Sequence, residues 1–320
     1  MGKRDLYKVF GYQRIIRKDD YNGKYRRSIA FRIVNAYPDA SWREFPKITD
    51  DGDSEEETTF EKQVSDAVEI LKLDSVFKKA DKAANLGRFS VLFIGIRDGE
   101  SDLRQPVREG IYDISDIMHL TPYPESCITI SSFNQDPTSP RFGLPELYQL
   151  TTRNDENSTR TNVGLGIEVH WTRVIHIAEN SIENEVYGIP RLEPVYNYLD
   201  NIDKVIGGSS ETFWLNSRGG LHVNSEADVS FDTDSSSSDN LQKNLDEYTH
   251  NLTRYIKTRG LDVNPIEFNI ADPKSNFETN ISLISGTTGI PQRILTGSER
   301  GELASSSDDK NWNNRVVERR

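Results

Sequence analysis

The apolar positions of this chain change period along its length, and the change divides it. Ile29, Ile33, Val34, Ala36 and Tyr37 fit a short helix. Pro38 is expected to end it, because a proline pushes the preceding residue out of the helical region. The clearest helix of the first half follows, with Phe60, Val64, Ala67, Val68, Leu71, Val76, Phe77, Ala80 and Ala84 in one broad stripe and Gly87 as its stop. Then come short runs rich in Val, Ile, Tyr and Phe: "RFSVLFIGI", "GIYDISDIMHL", "SCITISSF", "LYQLTT" and "GLGIEVHWTRVIHIAE". Turn residues separate them, so they read as strands, and residues 1–180 read as one α+β domain.

Helical spacing returns after Pro190, with Leu192, Val195, Tyr196, Leu199, Ile202 and Ile206 on one stripe and Gly207-Gly208 as a place to bend or break. "GGLHVNSEADVSF" is β-like and runs into a serine tract. Leu241, Leu245, Tyr248, Leu252 and Tyr255 mark a second helix with a one-sided seam. "NPIEFNI" reads as a strand, and "NFETNISLISGTTGIP" as a third helix stopped by Pro291. No repeat of 20–50 residues is present.

Composition narrows the class. With 35% hydrophobic and 28% charged residues, the 320-residue chain suits a protein with much solvated or intersubunit surface. No apolar run is long enough to cross a membrane. "MGKRDLYKVF" has no signal-peptide core, and Leu6 breaks the myristoylation pattern. The single cysteine, Cys127, excludes an internal disulfide and a thiolate zinc cluster, and it reads as a small buried side chain in a reducing cytoplasm. A net charge of −12 makes a poor general nucleic-acid binder, because phosphate contacts supply most non-specific affinity. Such a chain can still let nucleic acid pass without holding it.

Catalytic patterns are missing. "DDGDSEEE" has its glycine misplaced for a calcium loop and reads as a solvated lead into a helix. His170 and His176 share a face of one expected strand, yet six strand steps put them roughly 20 Å apart, too far to share a metal. His119, His222 and His250 lack any metal-binding context. There is no nucleophilic serine motif and no Walker A sequence; "GLGIEV" lacks the third glycine of a dinucleotide turn. No catalytic residue, metal site or cofactor is expected.

The order of four segments is more telling: "RDLYKVFGYQR", "YRRSIAFRIVNAYPDASWREFP", "VHWTRVIHIAEN…EVYGIPRLEPVYNYLDNID" and "GTTGIPQRILTGSERGELASSSDDKNWNNR". Together they resemble a tailed-bacteriophage portal protein, of the phage-associated family once described as a domain of unknown function. The resemblance implies a portal-like α+β fold. Residues 1–190 would be the wing, 191–217 the first stem helix, 218–272 a small α/β clip, 273–290 the second stem helix, 291–307 the channel loop, and 308–320 the start of a truncated tunnel helix without a crown. It implies a non-enzymatic ring, usually of twelve copies, at one capsid vertex in the virion, assembled in the host cytoplasm. Its partners would be double-stranded DNA, the terminase large subunit, the head–tail adaptor, and capsid and scaffold proteins, with no membrane.

On that mapping Ser298, Glu299, Arg300, Ser305, Ser306 and Ser307 form the DNA-channel loop, with Gly297 and Gly301 as pivots; an ordinary connector is the plain alternative. Glu193, Asp200, Asp203 and Glu211 on the first stem helix are candidates to line the channel and repel phosphates; a solvated surface is the alternative. Glu226, Asp228, Asp232 and Asp234 are clip candidates for a basic partner surface. Two other readings compete: a metal-dependent hydrolase or nuclease using first-domain acids, and a monomeric adaptor or minor head protein.

Overall fold

A computed structural model describes residues 5–50, 58–108, 110, 114–151, 166–217, 221–225, 243, 261–265, 272–297 and 306–319. The chain forms two compact units, one of residues 1–197 with 283–320 and one of residues 198–282.

In the first unit the helices are α1 (Leu6–Phe10), α2 (Lys18–Tyr25), α3 (Ser28–Ser41), α4 (Thr59–Leu71) and α5 (Leu73–Leu86). Ala30, Ile33, Val34 and Tyr37 recur at the i, i+3, i+4, i+7 spacing of one helical face, and all four are buried. The helix does not stop at Pro38 as expected; it runs through to Ser41, and Trp42 N–H donates to the Pro38 carbonyl. A proline in the last turn loses one intrahelical bond and still permits the turn to close. The long stripe from Phe60 to Ala84 is not one helix either. Lys72 adopts a left-handed conformation (φ 51°) and divides it into α4 and α5. Thr58 and Glu61 cap α4 reciprocally, each side chain accepting from the other's backbone N–H.

The strands are β1 (Ser90–Ile96), β2 (Ile117–Pro124), β3 (Ile128–Phe133), β4 (Pro145–Leu150), β5 (Ile167–His170) and β6 (Val174–Ile177). They form two antiparallel three-stranded sheets ordered β2-β1-β6 and β3-β4-β5. Alternation in β1 sends Val91 and Phe93 to the second sheet, where they join Ile128, Tyr148, Leu150 and Val169 in one core. Ala80 and Ala84 of α5 are buried, and Ser90 Oγ donates to the Ala80 carbonyl at 2.7 Å where the helix meets β1. The result is a helical layer on the first sheet and the second sheet on its other side.

The chain changes sheets twice, each time through a 3-10 turn: Glu125–Cys127 between β2 and β3, and Trp171–Arg173 between β5 and β6. Corners of this kind let a strand leave one sheet for another. His170 and His176 are therefore in different strands of different sheets, not on one strand face. Each corner buries a charged side chain and pairs it. Glu125 accepts from the Arg88 backbone and guanidinium and pairs with Lys18, while Arg173 pairs with Asp98. Burial alone would raise both carboxyl pKa values, yet these bonds hold Glu125 and Asp98 below the ordinary range. Cys127 is buried in the first corner. His176 is covered too: Phe89 stacks on it, its Nε2 donates to the Val186 carbonyl at 2.8 Å, and Tyr148 OH lies 3.2 Å from its Nδ1.

The second unit contains most of α6 (Tyr196–Ser217), the antiparallel pair β7 (Leu221–Ser225) and β8 (Leu261–Pro265), and the first part of α7 (Lys274–Thr288). A 3-10 turn, Glu193–Val195, precedes α6, and Gly207-Gly208 neither break nor end it. Both glycines face open space, so their cost is the modest propensity penalty of an exposed helix interior. The second β segment begins at Leu261, ahead of the expected "NPIEFNI" run. Of the helix expected from Leu241 to Tyr255 only Lys243 is among the described residues, and it is helical.

Candidate functional site

The end of α7 and the described residues that follow it belong to the first unit. Gly289, not Pro291, stops α7: its φ is +71° and its N–H returns to the Ser285 carbonyl. Ser285 Oγ donates to the Ile290 carbonyl at 2.7 Å, and Ile290 is fully buried. Pro291 then caps α8 (Gln292–Thr296), where Leu295 is buried against the body. Gly297, left-handed at φ +68°, closes α8 with its N–H on the Arg293 carbonyl. The next described element is α9 (Ser306–Arg319). Both α8 and α9 pack against α3. The two ends of the 298–305 segment are thus fixed to one helix.

The sequence of α9 shows why it stays there. Trp312, Arg315, Val316 and Arg319 repeat at i, i+3, i+4, i+7 and all face the body. Trp312 meets Tyr37 at 4.8 Å between ring centroids, Arg315 Nη1 donates to the Gly289 carbonyl at 2.6 Å, and Val316 is buried. Arg319 carries the largest share. Its guanidinium donates to Asp81 at 2.5 and 2.9 Å, to Glu179 at 3.0 and 3.1 Å, and to Ser41 Oγ at 3.3 Å. Asp81 also accepts from Trp42 Nε1, and Glu179 also accepts from Arg191. Tyr37 has the Arg191 and Arg319 guanidinium carbons 4.2 and 5.9 Å from its ring centroid. Burial would raise the Glu179 pKa, but the bonds from Arg319 and the charge of Arg191 pull it below the ordinary range.

The stem-helix candidates separate into two groups. Glu193 lies before α6 in the first unit, and its carboxylate accepts from Tyr21 OH at 3.0 Å. Burial, then that neighbouring charge, pushes the Tyr21 pKa well up. Asp200, Asp203 and Glu211 lie on α6 in the second unit. At about 100° per residue they fall within about 80° of one another. The stripe of Leu199, Ile202, Ile206 and Phe213 is centred roughly 115° away, and Lys204 sits at the edge of the acid face. Leu199 and Ile202 are buried, whereas Ile206 and Phe213 are exposed.

Ser298, Glu299, Arg300 and Ser305 of the expected loop, and Glu226, Asp228, Asp232 and Asp234 of the expected clip, lie outside the described residues. Ser306 and Ser307 open α9. Among the described residues, no three His, Cys, Asp or Glu side chains converge as a metal site, and no helix is long and apolar enough to cross a membrane.

The fold is similar to that of solved chains from gene transfer agent particles. One comes from the neck of a native gene transfer agent particle computed with C12 symmetry: TM-score 0.54, 13% identity, covering 92% of this chain and 75% of that one. Another comes from the neck of an empty particle computed with C6 symmetry: TM-score 0.57, 15% identity, covering 94% and 76%. A chain from the virion of the native particle matches at TM-score 0.54 and 13% identity over 94% and 75%. No curated protein sequence matches. The profile of the phage portal protein family matches residues 21–320, so the chain belongs to that family, and its function is that of a portal, the head–tail connector.

Proposed function

We propose that this chain is a non-enzymatic subunit of a homo-oligomeric ring, usually of twelve copies, at one capsid vertex of a virion. The ring is a conduit for double-stranded DNA and a docking platform for the terminase large subunit and the head–tail adaptor. Family membership supports the ring, as do neck chains of like fold from particles treated with C12 and C6 symmetry.

One observation carries the conduit reading: Asp200, Asp203 and Glu211 share a face of α6 distinct from its apolar stripe. An apolar stripe with exposed Ile206 and Phe213 fits a helix that packs on neighbouring copies. An adjoining acid face would meet the duplex backbone with repulsion rather than grip, so DNA slides. Fixed ends on α3 fit a 298–305 segment that touches passing phosphates through Arg300 and serine hydroxyls without reading bases. The clip acids Glu226, Asp228, Asp232 and Asp234 suit a basic partner surface.

Mass measurement and negative-stain imaging of the full-length natural gene product test the proposal. Rings of about a dozen subunits are expected. A persistent monomer would overturn it.

A further inference from the structure

We propose that the corner between α2 and α3 is a binding site for the phosphate backbone of duplex DNA. The inference rests on the conduit reading above and adds to it a place in the first unit that grips the molecule which the α6 acids would repel.

Charge is segregated along this chain. Residues 1–32 hold ten bases and three acids, a net +7 in a protein of −12, so the remaining residues carry −19. Bases gathered at one end of an acidic chain are the usual footprint of a polyanion contact. Three of them converge. Arg26 closes α2, Arg27 precedes α3, and Arg32 lies one turn into α3. One peptide step and four helical residues keep the Arg27 and Arg32 Cα atoms within about 10 Å of each other. All three side chains are exposed, and none forms an ion pair among the described residues. Arg14 and Lys18, by contrast, are taken up by Asp5 and Glu125.

The corner is fixed before a ligand arrives. Arg27 N–H donates to the Lys24 carbonyl at 3.0 Å and closes a turn, and Ser28 follows with a left-handed φ of 48°. Tyr25 and Phe31 stack across the turn, 5.3 Å apart at 27°. Buried Asn35 donates to the Tyr25 hydroxyl at 3.2 Å and to the Phe31 carbonyl at 2.8 Å. Binding therefore orders only the arginine side chains, which keeps its entropic cost low.

One strand of a duplex presents a phosphate about every 3.4 Å of its axis, so a span of about 10 Å meets about three. Guanidinium forks match phosphate oxygens, and contacts of this kind read no bases. The duplex, at one charge per about 1.7 Å, is also a denser polyanion than a polypeptide, whose extended residues each span about 3.3–3.6 Å. Three contacts give a slope of about −2.7 in log K against log salt, so affinity falls roughly 200-fold between about 20 and 150 mM. At physiological salt the corner touches DNA without retaining a short duplex, which is compatible with passage.

Fluorescence anisotropy tests this, with a random-sequence duplex of about 20 base pairs added to isolated rings of the natural full-length protein at about 20 mM salt. Arg26→Gln, Arg27→Gln and Arg32→Gln together are expected to weaken binding at least tenfold and to make the salt slope shallower by about 2.7 for each copy engaged. Lys62→Gln, Lys79→Gln and Lys310→Gln remove the same charge from other exposed positions and should change affinity less than about threefold. Equal loss in the two variants, or no loss in the arginine variant, would overturn the site and leave the ring reading standing. Polyglutamate that displaces the duplex as well as unlabelled duplex does, charge for charge, would overturn DNA in favour of an acidic protein surface. An arginine variant that melts like the natural protein but forms no rings would assign the corner to a neighbouring copy and overturn it too. Absence of rings from the natural protein would remove both readings.

Discussion

Replacing Arg319 by alanine should release α9 from the body without unfolding the rest. All five guanidinium N–H groups are used, toward Asp81, Glu179 and Ser41. Breaking a buried ion pair costs about 3–5 kcal/mol when a charge is left uncompensated. Here neither acid is stranded, because Asp81 keeps Trp42 and Asn85 while Glu179 keeps Arg191. The expected cost is therefore lower, about 2–3 kcal/mol, which is roughly a 30- to 150-fold increase in local opening. Hydrogen exchange of the α9 amides reads this directly, with α5 as internal reference. Acceleration of α9 by less than about threefold, or equal acceleration of α5, would refute the latch. Arg319→Lys should behave more like alanine than like arginine, since one ammonium cannot span two carboxylates and a hydroxyl.

The same variant has a pH signature. The folded Glu179 pKa is depressed, so its contribution is present above the ordinary glutamate value of about 4.3 and is lost as pH falls through the folded value. With Arg319 gone Glu179 no longer bonds α9, so protonating it cannot release the helix, and the acid dependence of α9 opening should flatten.

Three further outcomes follow. Gly289→Ala places a Cβ 2.4 Å from Arg315 Nη1 at φ +71°, and a loss of about 1–2 kcal/mol in thermal or denaturant unfolding is expected; no loss would show that the α7 stop tolerates a side chain. Burial lowers the His176 pKa, so the unfolded chain takes up the proton first and stability falls as pH drops below about 6.5; His176→Gln should flatten the melting-temperature slope between about pH 6.5 and 5, and an unchanged slope would exclude His176 as its source. Lysine at positions 200, 203 and 211 together should make rings retain short duplex DNA in a salt-dependent way; rings that still ignore DNA would show that this face is not on the channel.

Periodicity made the elements legible where one side of a helix or strand meets the core, as in Ile33, Val34, Ala36 and Tyr37 of α3, although it missed the buried Ala30. It failed where a single backbone position overrides the pattern. Lys72 takes a left-handed conformation that non-glycine residues rarely adopt, so the stripe gave no sign of the break. Trp171–Arg173 continues an apolar run while the chain changes sheets, and the turn rests on Arg173 pairing with Asp98, 75 residues away in sequence. The portal resemblance was carried by the order of segments, and the family profile covers the last three of the four, beginning at residue 21 after "RDLYKVFGYQR". The α9 latch was not read from the sequence, although Trp312, Arg315, Val316 and Arg319 share one helical face. Its partners, Asp81 and Glu179, come from sequence positions that no local pattern joins.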